Sequence, residues 1–197
     1  MSLNFGSRSL PVTSRGFALA ASFCLCVALT PVAAQTSAVN APAVAPAALT
    51  GMPELKPRGG GLLRVFGFQV YNAYLWTPNG QAHDRTKPFV LDIEYLRNFT
   101  AKALAERSID EMREQGTGSD AVYPKWLAEM QRVFADVKPG DKITGVVTPA
   151  RTAKFFHNGV LRGEVNDAAF TEAFFDIWLS EKTSQGAFRK RLLGQSP

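Results

Sequence analysis

The chain has 197 residues, 46% of them hydrophobic, with a formal net charge of +5. Two of the 22 basic residues, Arg8 and Arg15, lie in a segment read below as a leader; without them 20 basic residues face 17 acidic ones, a net of +3. That balance is too mild to point to nucleic acid, and no partner of that kind is expected.

Arg8 and Arg15 are followed by an apolar run from Phe17 to Leu29 and by small residues at Val32-Ala33-Ala34. This is the layout of a secretion signal over residues 1–34, with a run too short to span a bilayer and a processed start at Gln35. A retained N-terminal anchor is the alternative. A lipoprotein is a weaker one, because Cys24 follows Phe23 and Cys26 follows Leu25 rather than a small residue. Both cysteines fall inside the apolar run, so the processed chain is expected to lack thiols, disulfides and Cys-ligated metal. The expected address is the periplasm or the cell exterior. No second apolar run is long enough for a membrane span.

Residues 35–52 are rich in Ala, Pro and Val and carry no charge, which reads as a flexible or polyproline-like linker. Residues 53–197 then form one domain. Leu62–Phe66 and Phe68–Trp76 are aromatic and β-branched, separated by Gly67, and read as two strands. Phe89–Tyr95 alternates, with Phe89, Leu91, Ile93 and Tyr95 on one side and Asp92 and Glu94 on a wet side. Thr100 is a candidate N-cap for a helix carrying Ala101, Leu104, Ala105, Ser108, Ile109 and Met112 at helical spacing and ending near Gly116. A second helix is expected over about Tyr123–Phe134, and a strand over Lys142–Thr148. Asn158-Gly159 between two extended runs, Lys154–His157 and Val160–Glu164, specifies a two-residue hairpin, since both central residues must take positive φ. Asp167 can cap a third helix lined by Phe170, Ala173, Phe174, Ile177 and Trp178. A short last helix is expected from Ser184 to Leu193. The order makes an α+β fold, an antiparallel sheet with helices packed on one face.

No phosphate loop, zinc pattern or dinucleotide fingerprint occurs, so no cofactor and no metal is expected. His83 and His157 fall in loop and hairpin contexts, and His157, beside a tight turn, reads as a surface residue rather than a base. Arg189-Lys190-Arg191 reads as a solvated helix end complementing the helix dipole, with a membrane-surface role as the minor alternative. Arg64 is the sharpest candidate. A guanidinium in a half-buried strand needs an anion, which is either an internal acid such as Asp92 or Glu94, or the carboxylate or phenolate of a ligand. Tyr71 could donate to the same anion or be a core tyrosine. Seven positions apart, the two would face opposite ways on a continuous strand, so a shared site requires a bulge at Gly67 or a bend there between two strands.

Gly59-Gly-Gly-Leu-Leu-Arg64 followed by Gly67-Phe-x-Val-Tyr-x-Ala-x-Leu-Trp76 resembles the chalcone isomerase-like family in its bacterial exported branch. So do Ala105-Glu-Arg-Ser-Ile-Asp-Glu-Met112, Val137-Lys-Pro-Gly-Asp141, Phe155-Phe-His-Asn-Gly159, Gly163-Glu164 and Phe174-Phe-Asp-Ile-Trp-Leu179. The resemblance implies an open-faced β-sandwich with a cleft between a long antiparallel sheet and a helix layer. Plant members of that family either close a chalcone to a flavanone or bind a fatty acid through an Arg and a Tyr, and its bacterial members are largely without an assigned reaction. By this resemblance the cleft Arg falls on Arg64, with Arg58 as fallback, and the fatty-acid binders' Tyr falls on Tyr71. The isomerase's cleft Tyr falls near Leu104, its helix Asn near Glu111 and its late-helix Ser/Thr near Ile177, none of which reproduces the isomerase's hydrogen-bonding set. The expectation is therefore a non-catalytic, exported binder of a small amphipathic carboxylate or phenol, such as a fatty acid, with Arg64 and Tyr71 as its polar anchors. The alternatives are an isomerase or lyase in which Arg64 stabilises an oxyanion or phenolate, and an envelope partner protein with no ligand. Nothing in the sequence specifies an oligomeric state.

Overall fold

In a computed structural model, residues 43–196 are described, and the expected leader, its cleavage site and the first part of the linker lie outside them. Six strands pair in chain order into one antiparallel sheet: β1 (Leu55–Val65), β2 (Phe68–Pro78), β3 (Phe89–Tyr95), β4 (Lys142–Val147), β5 (Ala153–His157) and β6 (Val160–Val165). Four helices, α1 (Ala101–Gln115), α2 (Tyr123–Val133), α3 (Ala168–Leu179) and α4 (Gly186–Leu192), complete the α+β open-faced sandwich.

Local signals in the sequence explain most of these boundaries. Thr100 accepts a hydrogen bond from the Ala103 amide at 3.1 Å and caps α1, which ends at Gly116 with φ +71. Asp167 accepts from the Phe170 amide at 3.0 Å and caps α3. Asn158 (φ +49) and Gly159 (φ +80) turn β5 into β6. The side chains of α1, α2 and α3 that face the sheet meet Leu75, Leu91, Ile93, Ile143 and Phe155 in one apolar core.

Three features depart from expectation. First, β1 begins at Leu55 rather than Leu62 and runs through Gly59-Gly60-Gly61. The reason is tertiary: α4 crosses this strand so closely that a Cβ on Gly59 would sit 2.1 Å from the Arg191 carbonyl oxygen, while one on Gly60 would sit 2.4 Å from the Tyr74 ring of the neighbouring β2. The contact is stitched by arginines. Arg58 Nε donates to the Leu193 carbonyl at 2.8 Å and Arg191 Nη2 to the Leu62 carbonyl at 3.2 Å, while Arg189 Nε ties α4 to α3 through the Leu179 carbonyl at 2.8 Å. Arg189 and Arg191 therefore bind other elements rather than forming a solvated helix end.

Second, residues 43–52 pack against the sheet instead of hanging free. Pro46–Leu49 forms a 3-10 turn, and Val44 and Ala48 are buried with Val90, Val146 and Phe156 on the sheet face away from the helices. Third, the face carrying Asp92 is not wet there. Asp92 is 2% exposed, accepts from Thr144 Oγ1 at 2.6 Å and meets Lys142 Nζ at 3.4 Å. Its charge is paired and hydrogen-bonded, as burial requires.

Candidate ligand cavity

Between the sheet and helices α1 and α3 lies a cavity of about 560 Å³. Its sheet wall is Leu63, Tyr71, Leu91, Ile93, Ile143 and Gly145, and its helix wall includes Leu104, Phe174, Ile177 and Trp178. The volume is in the range of pockets that take small organic ligands, and such pockets are apolar with a few polar anchors. Small residues keep it open: Ala103 and Ser108 on α1, Gly145 on β4 and Ser184 before α4 all face it.

Arg64 is not part of this cavity. Leu63 pairs with Tyr71 but Arg64 pairs with Gln69, so the bulge sits at Val70 in β2 and not at Gly67. Gly67 instead joins Phe66 in a two-residue turn, with φ +82 and +49. Leu63 and Val65 line the cavity, while Arg64 between them is exposed and points away, as strand alternation dictates. Being in water, its guanidinium needs neither Asp92 nor a ligand. Arg58, the fallback, is engaged at the end of α4 and is likewise outside the lining. The bend between two strands at Gly67 does occur, but the extra residue at Val70 moves Tyr71 to the face of Leu63, opposite Arg64, so Tyr71 reaches the cavity without that arginine.

The Tyr71 hydroxyl accepts a hydrogen bond from Trp178 Nε1 at 2.8 Å, which leaves its own proton free to donate. Burial pushes the Tyr71 phenol far above the usual tyrosine range, partly opposed by Trp178. Burial does the same to Tyr95, whose ring meets Tyr71 edge-on at 5.8 Å. Both are neutral phenols at ordinary pH and can orient a ligand but not act as phenolate bases.

Among the described residues, the cation in the cavity lining is Arg107, on α1. Leu104, Arg107, Ser108 and Glu111 occupy one helix face by their i, i+3, i+4, i+7 spacing. The Arg107 guanidinium is bonded to the Glu111 carboxylate through Nη2 and lies 3.4 Å from Glu114 through Nη1. Burial works against its charge, but the two carboxylates outweigh this and raise its pKa. Glu111 is buried to 9% exposure and accepts from Ser184 Oγ at 3.1 and 3.2 Å. Ser108 donates to the Leu104 carbonyl at 2.8 Å. The apolar stripe read for α1 from sequence did not include Arg107; its position between Leu104 and Glu111 on one face was the available signal. The three positions that the family resemblance marked as changed, Leu104, Glu111 and Ile177, all line the cavity.

The histidines are elsewhere. His83 is half-buried with its ring edge-on to Phe89 at 4.8 Å, and burial lowers its pKa to about 4. His157 Nε2 is 3.8 Å from Asp141 in the β5–β6 corner. Among the described residues no group of three or more His, Cys, Asp or Glu side chains is arranged to hold a metal. No described helix is long and apolar enough to cross a membrane.

Comparison with known proteins agrees with this architecture. An uncharacterized protein of Haemophilus influenzae is 30% identical over 129 residues, a match covering 66% of this chain and 63% of that protein. This chain thus spans less than two thirds of that relative's length. A crystal structure of an Arabidopsis thaliana fatty-acid binding protein superposes with a TM-score of 0.57, at 9% identity, over 73% of this chain and 90% of the plant one. At that identity the likeness is one of fold. The model of the chalcone isomerase-like family matches residues 34–194, and the chain belongs to that family.

Proposed function

We propose that this protein is an exported, non-catalytic carrier that holds a small amphipathic acid, such as a fatty acid, in the cavity between sheet and helices. One observation carries the reading: an apolar space of about 560 Å³ has a single guanidinium, Arg107, in its lining among the described residues. The tail of the ligand lies against Leu91, Ile93, Ile143 and Phe174. The carboxylate meets Arg107, which exchanges part of its bond to Glu111 for the charge-assisted bond to the ligand. Tyr71 is a second donor within the same cavity. A fatty-acid binding protein of the same fold supports this class of ligand. The layout of residues 1–34 supports export to the periplasm.

Extraction of the purified protein with organic solvent, followed by mass spectrometry, tests the proposal. A stoichiometric long-chain acid is the expected result. An empty extract, together with no binding of added fatty acid, would favour the partner-protein alternative. Incubation with a chalcone, followed by its visible absorbance, separates the enzyme alternative: turnover that disappears in Arg107→Met would overturn the non-catalytic reading.

A further inference from the structure

The turn joining β1 and β2 is built from residues ill suited to it. Phe66 has φ +49 and Gly67 φ +82, and Phe66 is 97% exposed. The same chain makes the same turn between β5 and β6 with Asn158 at φ +49 and Gly159 at φ +80. Asn tolerates the left-handed region, whereas a bulky side chain there is an outlier that carries strain. The β1–β2 turn thus combines an unfavourable backbone conformation with a fully solvated aromatic ring, where the β5–β6 turn has neither. Strain of this kind, once observed, points to a use at the surface.

Phe68, on the far side of the turn, is 62% exposed, and the Arg97 guanidinium lies over its ring at 5.1 Å. Arg64, one residue before Val65, is exposed. No Asp or Glu occurs from Leu55 to His83. The tip is therefore a pair of protruding aromatic rings flanked by two arginines, on strands free of acid. Phe66 also lies on the rim of the cavity. A narrow convex wedge with basic flanks suits a bilayer interface, where rings enter below the headgroups and guanidiniums meet phosphates. A flat, broad apolar patch, the form that suits a protein partner, is not what the turn presents.

We infer that the Phe66–Phe68 tip is a docking element for an anionic lipid surface, holding the cavity rim against the bilayer. The inference goes beyond the ligand reading and does not depend on it, since docking requires no occupant in the cavity. The test is flotation with vesicles of phosphatidylglycerol and phosphatidylcholine, and with vesicles of phosphatidylcholine alone. It uses the chain from Gln35, because residues 43–196 have a core of their own and the apolar run of residues 17–29 would itself bind lipid. Wild-type protein should float with the anionic vesicles at low ionic strength and much less with the neutral ones.

Phe66→Asn reproduces the β5–β6 turn, so it should melt no lower than wild type and yet lose about tenfold or more in partitioning. Arg64→Gln with Arg97→Gln should lose roughly fivefold per charge and most of the salt dependence. Failure of wild type to float overturns the inference, as does equal partitioning of folded Phe66→Asn. Self-association that depends on Phe66, without flotation, would assign the tip to a second copy of the chain instead. If extracted lipid is found but docking fails, the cavity reading stands alone; flotation without any ligand leaves docking alone.

Discussion

Glu111→Gln should strengthen the binding of a fatty acid, an unusual direction for a substitution in a binding site. In the structure the guanidinium of Arg107 already has an anion, Glu111, and that carboxylate faces the same cavity. A ligand carboxylate on Arg107 must sit roughly 6 Å from Glu111, where like charges repel by about 2–3 kcal/mol at an effective dielectric near 20. Arg107 is solvent-exposed, so screening reduces this to about 1–2 kcal/mol, or roughly five- to thirtyfold in affinity. The amide retains an oxygen to accept the Ser184 hydroxyl, so the local structure should hold. Arg107→Met removes the charged hydrogen bond and should weaken binding by about 1.5–3 kcal/mol, roughly ten- to a hundredfold. Arg64→Ala should change it by less than about twofold, since the side chain lies in water on the opposite face. Titration of a fluorescent fatty acid into the three variants reads all of these. Weaker binding in Glu111→Gln, or a loss in Arg64→Ala equal to that in Arg107→Met, would show that the headgroup does not sit where the geometry puts it.

Stability should fall as pH drops from about 6.5 to about 4, because the His83 pKa is lowered to about 4 by burial and by Arg85, and the unfolded chain takes up the proton first. The loss is on the order of 2–3 kcal/mol, and urea melts across that range should flatten in His83→Gln; Asp176, whose carboxyl is pushed up by burial against the pull of Arg85, acts in the opposite sense at the acid end. Tyr71→Phe leaves the Trp178 Nε1–H without its acceptor and should cost about 1–3 kcal/mol in a denaturant melt, whereas an unchanged midpoint would mean that water takes the bond. Gly59→Ala drives a methyl to 2.1 Å from a backbone oxygen of α4 and should cost about 3 kcal/mol or more, with faster hydrogen exchange in α4. Normal protection of α4 in that variant would contradict the close crossing.

Elements whose signals are local were legible in the sequence. The Thr100 and Asp167 caps, the Asn158-Gly159 turn and the apolar stripe of α3 are each written within a few residues, and each forms where the pattern places it. The Gly59–Gly61 strand was not legible, because glycine reads as coil until the helix that presses on it is in place. Residues 43–52 failed for a similar reason: an Ala- and Pro-rich run has no period, and only the bare sheet face around Val90 and Val146 explains its packing. The site was half legible. Tyr71 was singled out and lines the cavity, but the turn at Phe66-Gly67 alone would put it on the side of Arg64, and the extra residue at Val70 reverses that outcome. Arg107 was hidden by its two acids, since a salt-bridged arginine on a helix looks like any solvated face.

The void itself is the stronger argument for a ligand than any one polar group. Around it the core is dense: Phe174 meets Phe155 at 5.1 Å, Phe175 at 5.2 Å and Trp178 at 5.4 Å, all edge to face. Interiors packed at that density do not leave such a volume by accident. Gly145 shows how it is kept. A Cβ there would lie 2.9 Å from the Phe175 ring, so only glycine lets that ring rest on the sheet; any side chain would push it away. Opposite, α1 offers Ala103 and Ser108 where a leucine would reach across. Small residues on two elements, a stiff aromatic frame beside them and an ion pair on the lining together hold open a space that this chain has ample apolar residues to fill. Leu104, Glu111 and Ile177 all line this space, so what these three positions offer a ligand is two aliphatic side chains and the ion-paired carboxylate of Glu111.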